Sequence, residues 1–250
     1  MAALFVILAA THLVTSCDGA LWIGDSVRNQ SPAGIYTGIF RSTVTMPAPN
    51  RMATGGISEE SQVHLMIQDA FSQFAGLVSV DGDKLAGTLT EYLGARARFF
   101  GFDGVRSITL VGTVAERNSV YGDYSGEDDG FFSLDYSARY ERASSLDQTS
   151  GIWTFDMSSA SGAVYNVTLD IDPDGQLFGT DTNGCVYSGA LSIIDSRYNA
   201  YKVIVSMSLC APVDGEYTGL AYRGDFAEGS TQLFLFFANG RYAFSTILSQ

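Results

Sequence analysis

After residue 33, apolar and polar residues alternate with a period of two along most of the chain, which commits the backbone to strands. Successive side chains on a strand point to opposite faces, so such runs must bury one face and wet the other. Ile193-Ile194, Val203-Ile204-Val205 and Leu233 to Phe237 are the most strand-prone stretches, and Gly, Asn or Asp punctuates their ends. Asp81-Gly82, Asp174-Gly175 and Asn239-Gly240 are strong hairpin-turn signals. Only Glu59 to Phe71 fits a helix about as well as a strand. Composition agrees with a β reading: Gly 27, Tyr 13 and Phe 16 in 250 residues, with Lys84 and Lys202 as the two lysines.

The chain also repeats itself. Gly34-Ile-Tyr36-Thr-Gly38 recurs as Gly122-Asp-Tyr124-Ser-Gly126 and Gly215-Glu-Tyr217-Thr-Gly219, with a variant at Gly151-Ile-Trp153-Thr-Phe155. Further matches keep their order between the halves: 63–77 with 165–179, Leu85–Tyr92 with Tyr187–Ile194, Leu110–Gly126 with Val205–Ala221, and 131–146 with 232–247. Each half has the length of about eight short strands, the size of a small up-and-down barrel. Glycines inside strands, at Gly76, Gly87, Gly179 and Gly189, suit the sharp bends of such a barrel. The expected fold is all-β: two tandem, duplicated eight-stranded antiparallel barrels of lipocalin-like form at 34–147 and 151–250, with a pair of β-sandwiches as the alternative. A membrane-spanning barrel fits less well, because several runs are shorter than the ~9–11 residues a spanning strand needs.

Residues 1–17 read MAALFVILAATHLVTSC, an apolar run with the length of a signal-peptide core and too short to span a bilayer as a helix. Val14-Thr15-Ser16-Cys17 resembles the lipobox of bacterial lipoprotein precursors. The resemblance implies cleavage after residue 16, acylation of Cys17 and anchoring to the inner or outer membrane, facing the periplasm or the cell surface. No Lys or Arg precedes Arg28, a departure from the usual signal pattern, and Asp18 follows Cys17. Residues 17–33 then form the lipidated cysteine and a tether. With Cys17 lipidated, Cys185 and Cys210 remain as a pair. A hairpin that sets Ile194 opposite Tyr201 also sets Cys185 opposite Cys210, within disulfide range, which suits an oxidising compartment. Two free buried thiols are the alternative.

Lys+Arg 14 against Asp+Glu 27 gives a formal net charge of −13, which repels nucleic acid. The best metal-like motif is Asp170-Ile-Asp172-Pro-Asp174-Gly175 with Asp181 in the twelfth place, resembling a calcium loop. Against calcium stand Pro173, an Asp where such loops carry a bidentate Glu, and the simpler reading of Pro-Asp-Gly as a hairpin turn. Asp81, Asp83, Glu127, Asp128 and Asp129 read as solvated turns. His64 lies outside any Gly-x-Ser-x-Gly context, and no phosphate loop or zinc cluster accompanies it. Tyr36, Tyr124, Trp153 and Tyr217 share one motif position, which favours structural plugs satisfied by nearby carbonyls over a stacking platform. Residues 42–61, with Pro47, Pro49, Gly55 and Gly56, read equally as a long loop of the kind that carries binding and as a disordered segment.

These readings point to a non-enzymatic envelope lipoprotein that needs no cofactor and meets a protein partner through loops and barrel rims. The alternative is a carrier holding a small hydrophobic or sugar ligand inside a barrel. A carrier requires inward residues too small to fill the lumen, and Phe178, Tyr187 and Phe236 are the large residues expected to point inward.

Overall fold

The alternating runs close into two tandem antiparallel barrels in a computed structural model of the chain, which describes residues 28–44, 50–68, 72–94, 99–100, 104–158, 164–226 and 230–250. Barrel 1 comprises β1 (Gly34–Ser42), β2 (Asn50–Ile57), β3 (Gln62–Ile67), β4 (Ser72–Asp81) and β5 (Lys84–Leu93), then β7 (Gly104–Ala115), β8 (Ser119–Ser125) and β9 (Gly130–Ser137). The two-residue β6 (Phe99–Phe100) lies in the β5–β7 connection and pairs elsewhere. Each barrel strand pairs with the next, and β1 shuts the ring on β9, from Ile35 opposite Ser137 to Ser42 opposite Gly130. Short 3-10 turns at Ala138–Glu141 and Leu146–Gln148 lead into barrel 2.

Barrel 2 comprises β10 (Gly151–Ser158), β11 (Val164–Ile171), β12 (Gln176–Asp181), β13 (Val186–Ile193), β14 (Tyr201–Ser208), β15 (Gly215–Phe226), β16 (Ser230–Ala238) and β17 (Ala243–Ser249). Its ring closes between β10 and β17 at Thr154 opposite Ser249, next to a hydrogen bond from the Gln250 side chain to the Ser150 carbonyl (2.8 Å). At the other end of β17, β6 of the first half pairs with Ala243 and Phe244. Within the stretch that has both helical and strand character, Gln62–Ile67 form strand β3.

Period-two alternation sorts each strand into an inner and an outer face. Tyr36, Phe40, Leu65, Phe74, Leu89 and Phe132 fill barrel 1, while Leu77 and Val111 stay 60% exposed on its outer wall. The inward glycines sit where coiled strands come closest. A Cβ at Gly76 would stand 2.7 Å from the Thr88 carbonyl oxygen, and one at Gly87 would stand 2.6 Å from that of Leu77. The three expected hairpin turns are turns, with Gly82, Gly175 and Gly240 in the left-handed region (φ +61°, +83° and +84°).

Four expectations need correction. The β13–β14 ladder sets Ile193, not Ile194, opposite Tyr201, and ends at Val186 opposite Ser208. Leu209, with φ +58°, adds one residue beyond the ladder and brings Cys210 to a disulfide with Cys185, their Cα atoms 4.7 Å apart. Residues 42–61 are not one loop, because Asn50–Ile57 within them form β2. The repeat is real at the level of whole barrels, and Gly34 and Gly151 both open first strands. The segment match of 63–77 with 165–179, however, sets the third and fourth strands of one barrel against the second and third of the other. The strands of such a barrel repeat the same alternation, and several carry an inward glycine, so local pattern cannot number the strands. Finally, Asn29 and Gln30, expected in the tether, are docked: Gln30 N–H donates to the Gly82 carbonyl (2.7 Å), and its side chain accepts from Glu116 N–H (2.9 Å). Cys17 and the lipobox-like residues 14–17 lie outside the described residues.

The barrels share a buried seam. Tyr222, Phe234 and Phe236 on the outer face of β15 and β16 pack with Ala33, Ile35, Tyr140 and Ala200. Tyr222 stacks on Phe234 at 4.8 Å and Tyr140 on Tyr198 at 4.9 Å. Burying each such ring contributes about 1.5–3 kcal/mol. Asn199 stitches the seam, donating to the Arg139 and Arg223 carbonyls (3.2 and 2.7 Å) and accepting from Arg223 N–H (2.9 Å). Phe236 therefore points at the neighbouring barrel rather than inward, and Phe178 points to solvent at 59% exposure. Of the three large residues expected inside, Tyr187 alone is there.

Candidate functional site

Three of the four ends of the two barrels have an aromatic residue anchored to the backbone. Tyr36 donates to the Pro32 carbonyl (2.8 Å) at the end of barrel 1 where β1 begins. Trp153 Nε1 donates to Thr149 (2.7 Å) and Tyr217 to Val213 (2.6 Å), at opposite ends of barrel 2. Each bond reaches back four residues from its motif position, as expected for structural plugs. The interior of barrel 2 between Phe155, Leu177, Tyr187 and Phe237 leaves a cavity of about 10 Å³, less than one water needs. That volume leaves no room there for the ligand of a carrier.

The fourth motif aromatic behaves differently, and it marks the site. Tyr124 lies at the other end of barrel 1, where β1 ends and β2 begins, and its hydroxyl donates to the Asp128 carboxylate (3.3 Å) instead of a carbonyl. Around it the last inward positions of six strands are polar: Ser42 on β1, Arg51 on β2, Ser72 on β4, Glu91 on β5, Arg106 on β7 and Tyr124 on β8. Each continues the inward face of its strand, two residues beyond Phe40 and Leu89 and two before Ala53, Phe74 and Ile108, with Tyr124 itself in the core. Beneath the ring, Phe40 meets Phe74, Phe132 and Tyr124 at centroid distances of 5.0, 5.4 and 5.5 Å.

The β8–β9 turn folds two carboxylates over this mouth. Asp128 accepts from Ser42 Oγ (2.5 Å) and pairs with Arg51 (3.2 Å), while Glu127 pairs with Arg106 (3.0 Å). Glu91 lies below them, 7% exposed, directly across the ladder from Arg106. Burial pushes its carboxyl pKa above the ordinary value. Arg51, the Ser72 hydroxyl and Arg106 pull the other way, and Asp128 adds to the rise. Burial, with the neighbouring Asp128 charge, likewise raises the Tyr124 phenol to about 12. A perturbed carboxyl among guanidiniums, over an apolar floor in a barrel mouth, offers charge, hydrogen-bonding groups and apolar contact in one place.

The calcium candidates are not brought together. Asp172 caps its own turn, accepting from Asp174 N–H (2.9 Å) and Gln176 N–H (2.8 Å), so the Pro-Asp-Gly reading holds. Asp170 lies on the outer face of β11, and Asp174 is exposed in the turn. Asp181 stands at the far end of β12, roughly 17 Å away along the strand. Its carboxylate is used by Asn183 N–H, Cys185 N–H and the Tyr187 hydroxyl (2.9, 3.0 and 2.9 Å). The nearby Cys185 and Cys210 sulfurs are bonded to each other and offer no thiolate. His64 is remote from the mouth, buried on the outer face of β3 against barrel 2.

The sequence reading missed Arg51, Glu91 and Arg106 and took Asp128 for a solvated turn residue. The available signal was the inward parity of each strand, carried one step past its last apolar residue. No known family model matches the chain, and no curated protein matches it significantly.

Proposed function

We propose that this chain is a non-enzymatic lipoprotein of the bacterial cell envelope, anchored through Cys17, that binds a protein partner at the polar mouth of barrel 1. The observation that carries the reading is the contrast between this mouth and the other barrel ends, where an aromatic anchor turns polar groups back onto the chain's own backbone. Chain direction supports it. The described chain crosses the plugged end of barrel 1, where Gln30 meets Gly82, and then enters β1, which runs towards the mouth. A membrane anchor upstream favours a plugged end near the bilayer and a mouth facing away from it.

The test is native mass spectrometry of the protein purified from its own envelope in mild detergent. The mature mass checks acylation at Cys17. A second polypeptide should accompany the wild type and be lost from an Arg51→Ala, Asp128→Ala double variant that keeps its melting temperature within a few degrees. Equal retention of that polypeptide by the variant removes the mouth from the reading, and a cleaved but unacylated chain removes the anchor.

A further inference from the structure

We propose that the mouth of barrel 1 receives one cationic group, the guanidinium or ammonium of an arginine or lysine side chain of the partner, with Glu91 as its counter-charge. This rests on the reading of the mouth as the partner-binding end. Charge accounting leads to it. Three carboxylates, Glu91, Glu127 and Asp128, share the mouth with two guanidiniums, Arg51 and Arg106. Asp128 takes Arg51 at 3.2 Å and Glu127 takes Arg106 at 3.0 Å. Glu91 has no ion pair among the described residues, yet it is the most deeply buried of the five, at 7% exposure. A buried carboxylate without an ion pair is costly, and one arriving cation balances the set.

The surroundings fit that occupant. The Ser72 hydroxyl beside Glu91 is fully buried, and when it donates to the Glu91 carboxylate its oxygen still has acceptor capacity for an N–H donor. Below lie the rings of Phe40, Phe74 and Phe132, apolar contact for a methylene stem and aromatic faces for a cation. An anion entering the same space would meet Glu91 and Asp128, with both guanidiniums already engaged. The chain's net charge of −13 steers basic partners towards it.

The experiment titrates the ¹⁵N-labelled chain with N-acetyl-arginine amide, with neutral N-acetyl-norleucine amide and with acetate, following the amides of Ser72, Glu91 and Arg106. The arginine probe should give saturable shifts at these positions in the millimolar range, with neither control doing so. Glu91→Gln should weaken the arginine response at least about tenfold, and Glu91→Asp should restore part of it. Absent shifts with the arginine probe, equal shifts with acetate, or an unchanged response in Glu91→Gln would overturn the proposal. If Glu91→Gln does not fold, the three wild-type titrations decide alone. A partner that co-purifies equally with wild type and folded Glu91→Gln overturns the cation site and leaves the partner reading standing. Specific arginine binding by a chain that carries no partner supports the cation site and counts against that reading.

Discussion

Acidification should loosen the seam between the barrels through His64, by an amount the structure sets. His64 is 5% exposed and faces barrel 2, its Nδ1 3.5 Å from Gln73 Nε2, which also reaches the Phe237 carbonyl across the seam at 3.4 Å. Burial without an ion-pair partner lowers its pKa from 6.5 to about 4. Because the folded value lies below the unfolded one, the stabilisation is complete above pH 6.5 and declines as pH falls towards 4. Linkage puts the loss between pH 7 and pH 4.5 at about 2.5 kcal/mol. Glu91 contributes with the opposite sign because burial raises its pKa, so the comparison must be with His64→Gln, which keeps a hydrogen-bonding side chain and removes the histidine titration. Urea unfolding followed by circular dichroism at both pH values measures the difference. Wild type should lose about 2.5 kcal/mol more than the variant on acidification. Equal losses would mean that protonated His64 reaches water at no cost to the folded state.

Two further outcomes follow from local geometry. Replacing both Cys185 and Cys210 with serine opens a loop of sequence separation 25 and should cost about 3 kcal/mol in urea unfolding, with a shift under half that size arguing against the bond. Gly76→Ala forces a methyl group to within 2.7 Å of the Thr88 carbonyl oxygen and should cost roughly 1–3 kcal/mol, whereas Gly56→Ala, whose nearest atom would stand 3.3 Å away, should cost less. Equal melting temperatures for these two variants would contradict the close strand approach at the glycine positions.

Much of the fold was legible because period-two alternation is set by one strand at a time. Tyr36, Leu85 and Leu89 announce an inner face without reference to any neighbour, and Asp81-Gly82 or Asn239-Gly240 announces where the chain reverses. What depends on two strands at once was less legible. The β13–β14 ladder runs one residue off the register that looked natural, and Leu209, with its left-handed backbone, makes up the difference so that Cys210 still meets Cys185. Phe178 and Phe236 follow strand-like runs as well as Tyr187 does, but one faces water and one faces the other barrel, and only tertiary packing separates them. The mouth escaped notice for a related reason. Arg51, Glu91 and Arg106 stand 40 and 15 residues apart along the chain, and nothing local marks them as members of one ring.

The two barrels divide two demands that conflict in a single one. Barrel 2 carries the disulfide, has an anchored aromatic at each end and gives the outer face of β15 and β16 to the seam, all of which favour rigidity. Barrel 1, without a disulfide among its described residues, keeps a buried carboxyl and two guanidiniums where apolar side chains would pack more favourably. Stability alone would close that mouth as the other ends are closed, with an aromatic donating to a carbonyl four residues away. Tyr124, the one motif aromatic whose hydroxyl turns to a carboxylate, sits where that rule is set aside. Departures from local consistency concentrate where a surface must recognise something, and the rest of the fold supports them. On this view the seam matters to the mouth: β3, β4 and β5 present Met66, Ala75 and Tyr92 to barrel 2 while β4 and β5 carry Ser72 and Glu91 at their ends, so docking the second barrel stiffens two of the strands that hold the ring.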